Sequence, residues 1–125
     1  MSAGGLVLSH MRTLQAVRGE IATIQRGTQS CTASVVRGRA NNGALTKQDM
    51  RFESDSQDFL LVSMDYQPTG AVSDPQPDDT ITVTDAFGRI CVFEVRPVSQ
   101  SEDCFARDSY GVELRVHTKL TSRSS

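Results

Sequence analysis

The feature that most constrains the fold is the stretch TITVTDAFGRICVFEVRPV, residues 80–98. Ile81 and Val83 alternate with threonines, and Cys91, Phe93 and Val95 fall on one face of the return run. Alternation with a period of two is what a half-buried strand needs. Between the runs, Asp85-Ala86-Phe87-Gly88 offers an aspartate that bonds back to its own backbone and a glycine that takes positive φ, so the stretch reads as a β-hairpin. A hairpin is marginal alone in water, and its apolar face calls for more strands or a helix to cover it.

The rest of the chain supplies both. In the N-terminal segment, 1–19, Val7, Met11, Leu14 and Val17 recur at helical spacing from about Leu6 to Arg18, and Gly19 is expected to end the helix in the left-handed conformation. EIATIQR (20–26) and CTASVVR (31–37) read as two strands joined by Gly27-Thr28-Gln29-Ser30. Residues 38–49 are polar, turn-rich and free of Val and Ile, a long flexible loop. Met50 to Glu53 reads as a short edge strand, and DFLLVSMD (58–65) as a central strand covered on both faces. Pro68, Gly70, Pro75 and Pro77 make 67–79 a connector, and 99–103 is a polar link. In the final strand, 111–120, Val112, Leu114 and Val116 alternate with Glu113, Arg115 and His117, and the tail 121–125 is expected to fray. With 125 residues and no helix-length crossover between the later strands, the expectation is one domain over 1–125. Its fold class is mainly β: a small antiparallel β-barrel or sandwich of six to seven strands with an N-terminal α-helix and a long polar loop.

A net charge of -2 speaks against a domain built mainly to grip nucleic acid or an anionic membrane. Cys31, Cys91 and Cys104 cannot all pair within one chain and read as free thiols. The opening MSAGGLVLSHMRTL has too short an apolar run for a signal peptide, and no segment reaches membrane-spanning length. No motif fixes a nucleophile near a base, so no enzyme is expected. His10 and His117 read as solvated histidines, and Asp74, Asp78 and Asp79 as solvated turn aspartates without the glycine and glutamate of a calcium loop. Cysteine and histidine spacings suit no zinc site, no glycine-rich strand-to-helix turn cradles phosphate, and no cofactor is expected. The one basic cluster, Arg37, Arg39, Lys47 and Arg51, flanks the polar loop with Asn41 and Asn42 inside it, and this set is the candidate partner interface.

The order of these features resembles the small head-tail joining proteins of tailed bacteriophages, the head-completion or stopper family. The likeness rests on EIATIQRG and CTASVVRGRA, the long polar loop, DFLLVSMDYQPTG, a proline-bearing connector into PDDTITV, RICVFEVRPV and the closing DSYGVELRVHTK, from about Met11 to Lys119. Asp78 stands where that pattern leads one to expect glycine in the turn before Asp79. The resemblance implies a homo-oligomeric ring, a hexamer or a dodecamer, in the virion neck. It would sit between a portal or adaptor protein and a tail terminator or tail tube protein, close the head after packaging and offer the tail its attachment surface. The loop from Arg39 to Asp49 would meet ring neighbours or packaged DNA. The alternatives are a tail terminator or other minor neck protein, an oligonucleotide-binding barrel, and a small enzyme of unrecognised chemistry.

Overall fold

A computed structural model describes residues 8–9, 11–13, 15–16, 19–38, 56–97 and 103–124. Its seven strands are β1 (Glu20–Arg26), β2 (Gln29–Gly38), β3 (Ser56–Val62), β4 (Thr80–Thr84), β5 (Ile90–Val95), β6 (Phe105–Arg107) and β7 (Glu113–Ser124). All pairings are antiparallel, in the order β3-β2-β1-β4-β5-β7, and β7 pairs again with β3, which closes a six-stranded barrel. The seventh strand, β6, lies beside the first half of β7. Of the expected fold classes, the barrel is the one formed.

Alternation decides which side chains fill the barrel. Ala22 and Ile24, Ala33 and Val35, Phe59 and Leu61, Ile81 and Val83, Cys91, Phe93 and Val95, and Leu114 and Val116 are all buried in one cluster. Each fully buried Val, Leu, Ile or Phe contributes about 1.5–3 kcal/mol. At its centre Phe59 and Phe93 meet edge to face, with ring centroids 5.1 Å apart and planes at 76°. That geometry adds about 0.5–1.5 kcal/mol to their area term.

The described residues among 8–16 are helical, and Met11 is fully buried. Gly19 is not left-handed, contrary to the expectation for a helix end. Its hydrogen is required for space, since a Cβ there would meet the Gln15 carbonyl oxygen at 2.2 Å and Ser34 Oγ at 2.7 Å. The β1–β2 reversal is tighter than expected, because Arg26 pairs directly with Gln29 and leaves Gly27-Thr28 as the loop. The expected strand at 50–53 and nearly all of the loop at 38–49 lie outside the described residues, apart from Gly38, which ends β2. A 3-10 turn at Ser63–Asp65 ends the run of β3 earlier than the sequence suggested. Conversely, β7 continues beyond Leu120 through Ser124, where the tail was expected to fray.

One further difference involves charge. Asp79 was expected in solvent, yet it is 2% exposed and its carboxylate accepts four hydrogen bonds. Arg26 Nε and Nη2 donate at 2.9 and 2.8 Å, the Tyr66 hydroxyl at 2.7 Å and the Gln76 amide at 3.0 Å. Asp78 beside it adopts φ 75, the left-handed geometry for which a glycine is the usual choice. The strand registers place Arg26, Asp79 and the β6–β7 turn at the lower end of the barrel. Glu20, Arg37 and the β4–β5 turn lie at the upper end.

Burial opposes the Asp79 charge, but the donors from Arg26, Tyr66 and Gln76 outweigh it and hold this carboxyl below the usual aspartate range. A lowered folded pKa means that the stabilisation is complete above the unfolded aspartate value of roughly 3.9 and is lost as pH falls through the folded value. Asp79→Asn should therefore cost about 3 kcal/mol at pH 7, because Arg26 loses its buried counter-charge. Urea unfolding followed down through that pH range should show the gap to the wild type narrowing; a gap that stays constant would refute the assignment. Tyr66→Phe should cost about 1 kcal/mol.

Candidate functional site

Of the residues the sequence singles out as an interface, the structure places one. Arg37, two positions after the inward-facing Val35, reaches the upper mouth of the barrel. Its Nε donates to Glu20 Oε1 at 2.8 Å, and its guanidinium lies 6.0 and 5.8 Å from the ring centroids of Phe59 and Phe93. Arg37 thus covers the aromatic pair at the core and is held by a neighbouring strand. Arg39, Asn41, Asn42, Lys47 and Arg51 lie outside the described residues.

All but one of the remaining described arginines are also engaged. Arg12 pairs with Asp65, Arg26 with Asp79, Arg89 with Asp85, Arg96 with Glu94, Arg107 with Asp74 and Arg115 with Asp58. Among the described residues only Arg123 is an arginine without a carboxylate partner. Gripping a phosphate backbone takes a field of free cations whose binding releases counterions. The described surface has no such field, so the oligonucleotide-binding reading loses support.

His117 was expected in solvent, and the structure instead buries most of it: its side chain is 13% exposed, with Nδ1 2.9 Å from Asp58 Oδ1. Arg115 Nη1 donates to the other carboxylate oxygen at 2.8 Å. Burial raises the Asp58 carboxyl, but the bonds from His117 and Arg115 prevail and keep it below the ordinary range. Among the described residues the His117 ring has no nucleophile as a hydrogen-bond partner, so the group acts as a polar clamp between β3 and β7. Cys91 and Cys104 are buried free thiols and Cys31 is half-buried.

What the sequence reading missed is an exposed aromatic carried on a hydrogen-bonded turn. The sequence marked Asp85-Ala86-Phe87-Gly88 as a turn, and the structure shows what that turn presents. Asp85 Oδ1 accepts the amides of Phe87 and Arg89, both at 2.9 Å, and Asp85 Oδ2 accepts Arg89 Nε at 2.7 Å. Gly88 closes the turn at φ 79, its amide donating to the Asp85 carbonyl at 3.0 Å. On this frame Phe87 is 83% exposed, touched by the Arg89 guanidinium at 5.2 Å and flanked by Ile90, 47% exposed. The signal available in the sequence was an aromatic inside a turn motif, where nothing local can bury it. The exposed Ile21 borders a largely polar groove of about 360 Å³ with Arg12, Cys31 and Asp65.

A family model described as phage head-tail joining protein matches residues 4–125. No curated protein and no solved structure matches the chain.

Because Phe87 packs against little but Arg89, Phe87→Ser should change the unfolding free energy by less than about 0.5 kcal/mol. Gly88→Ala, which forces a side chain into the left-handed region, should cost about 1–2 kcal/mol. Chemical denaturation of the two variants beside the wild type checks both, and a larger loss for Phe87→Ser than for Gly88→Ala would contradict the geometry.

Proposed function

We propose, for a chain that belongs to the phage head-tail joining protein family, that its copies form a ring in the virion neck which closes the filled head and provides the surface to which the tail attaches. The family is a structural one that works at the junction of head and tail, and membership implies a place in the neck and contact with components on both sides. Among the described residues no helix is long and apolar enough to cross a membrane.

The observation that carries the reading is the family match over nearly the whole chain. The fold agrees with it. Its barrel interior is filled by side chains, and the apolar surface left over sits on the outside, at Phe87, Ile90, Ile21, Met64 and Tyr110. Phe87 and Ile90 lie together on one turn, and contiguous exposed apolar surface of this kind marks contacts with other proteins. A ring, a hexamer or a dodecamer, multiplies each weak contact by the number of subunits. In this reading Arg39, Asn41, Asn42, Lys47 and Arg51, which follow Arg37 in the chain, meet ring neighbours or the packaged DNA.

The test is electron microscopy of DNA-filled heads made without this protein, before and after its addition. Annular density at the portal vertex and retention of DNA on dilution are expected. Heads that leak equally with and without the protein, and show no added density, would reject the role. A filter-binding titration on short DNA should show weak, sequence-independent affinity; tight binding with a steep salt dependence would favour the oligonucleotide-binding alternative.

A further inference from the structure

The reversals joining β4 to β5 and β6 to β7 are built to one pattern. Asp85-Ala86-Phe87-Gly88 and Asp108-Ser109-Tyr110-Gly111 each begin with an aspartate, carry an aromatic third and end with glycine. The glycines have φ 79 and φ 71, and their amides donate to the aspartate carbonyls at 3.0 and 3.1 Å. As in the first turn, one carboxylate oxygen of Asp108 accepts two main-chain amides, those of Val112 at 2.8 Å and Glu113 at 3.1 Å. Tyr110 is 55% exposed, against 83% for Phe87. Because β7 starts at the lower end and β5 at the upper, the two aromatics sit at opposite ends of the barrel.

We propose that Phe87 and Tyr110 are the two docking anchors of this protein, Phe87 for its head-side neighbour and Tyr110 for its tail-side neighbour, each seated in an apolar socket of that protein. Burying either ring in the fold is not the reason for these turns, since both rings face solvent. Hydrogen bonds instead fix the main chain of the turn that presents each ring, which lowers the backbone entropy lost on docking, and exposed aromatics are the usual centres of interface energy. Charge sets the direction. At the upper end Arg37 and Arg89 are paired with Glu20 and Asp85, and only Arg123 has no carboxylate partner among the described residues, whereas at the lower end Asp78, Asp108 and Glu113 stand beside the pairs Asp74–Arg107 and Asp79–Arg26. Packaged DNA lies on the head side, and the acidic lower end is the one a polyanion repels. The head-side socket is accordingly rimmed by carboxylates that meet Arg123, and the tail-side socket by basic groups.

The inference rests on the neck reading, and one set of experiments separates the two. Phe87→Ala, Tyr110→Ala and wild-type protein are incubated with DNA-filled heads made without this protein, and separately with purified tails. Phe87→Ala should bind heads at least about tenfold more weakly while binding tails normally. Tyr110→Ala should seal heads normally yet leave them unable to take tails. Melting curves of both should match the wild type. Variants that bind both neighbours as the wild type does, or that exchange the two defects, overturn the assignment. Wild-type protein that binds neither heads nor tails overturns the neck reading, and the anchors with it.

Discussion

The structure depends on β7 serving two partners in succession. Its first half, Glu113 to Lys119, pairs with β3, and its second half, from Thr118 to Ser124, pairs with β5. No other strand could close the barrel, because the order β3-β2-β1-β4-β5 otherwise leaves β3 and β5 as open edges. The handover strains the register: Val92 faces Ser122 while Phe93 faces Leu120, so Thr121 is the extra residue of a bulge, and its hydroxyl donates to the Val92 carbonyl at 3.1 Å. Such a bulge sharpens the local twist and lets a strand bend around the barrel. Below the point where β5 departs, β6 takes up the vacated side of β7. Open edges are sites of unwanted pairing, and this arrangement removes them from the barrel proper.

Closing the wall leaves two mouths, and each is stopped by a charged pair in contact with aromatic groups. At the lower mouth Asp79 and Arg26 have side chains 2% and 22% exposed, and Tyr66 completes the plug. At the upper mouth Arg37 and Glu20 are 37% and 32% exposed, and the stopper is a guanidinium over two phenyl rings. Burying charge is costly unless every donor and acceptor is matched, so the lower plug contributes a fixed geometry more than net stability. The upper plug is wetter and weaker, and it lies where the chain leaves β2.

The sequence revealed those elements whose side chains alternate. The β4–β5 hairpin, the β1–β2 pair and the first half of β7 could all be read from period two, and the order of these runs was enough to suggest the family. What escaped it depended on distance or on the main chain alone. Asp79 looked like one more turn aspartate because its counter-charge, Arg26, is 53 positions away. Asp58 and His117, 59 positions apart, were hidden in the same way. The residues Thr121 to Ser124 are polar and exposed, yet main-chain bonds to β5 hold them regardless of side chain. The three residues of β6 are too few to show a period. At Gly19 the residue was read for its conformational freedom, while its actual use is the missing Cβ. Asp78, by contrast, was flagged as occupying a glycine position, and it does take the glycine-like angle. Of the candidate interface only Arg37 falls within the described residues, and Phe87 went unremarked because exposure of an aromatic is a property of the folded turn.

The double role of β7 has a bearing on manufacture. Among the strands of the barrel it is the last to leave the ribosome, so nascent chains lacking it expose raw borders on β3 and β5 and cannot attain the finished shape. Contacts between segments so remote in the chain also form slowly. A chain cut short before β7 therefore keeps two unpaired borders, and its shape differs from that of a product synthesised through its final ribbon.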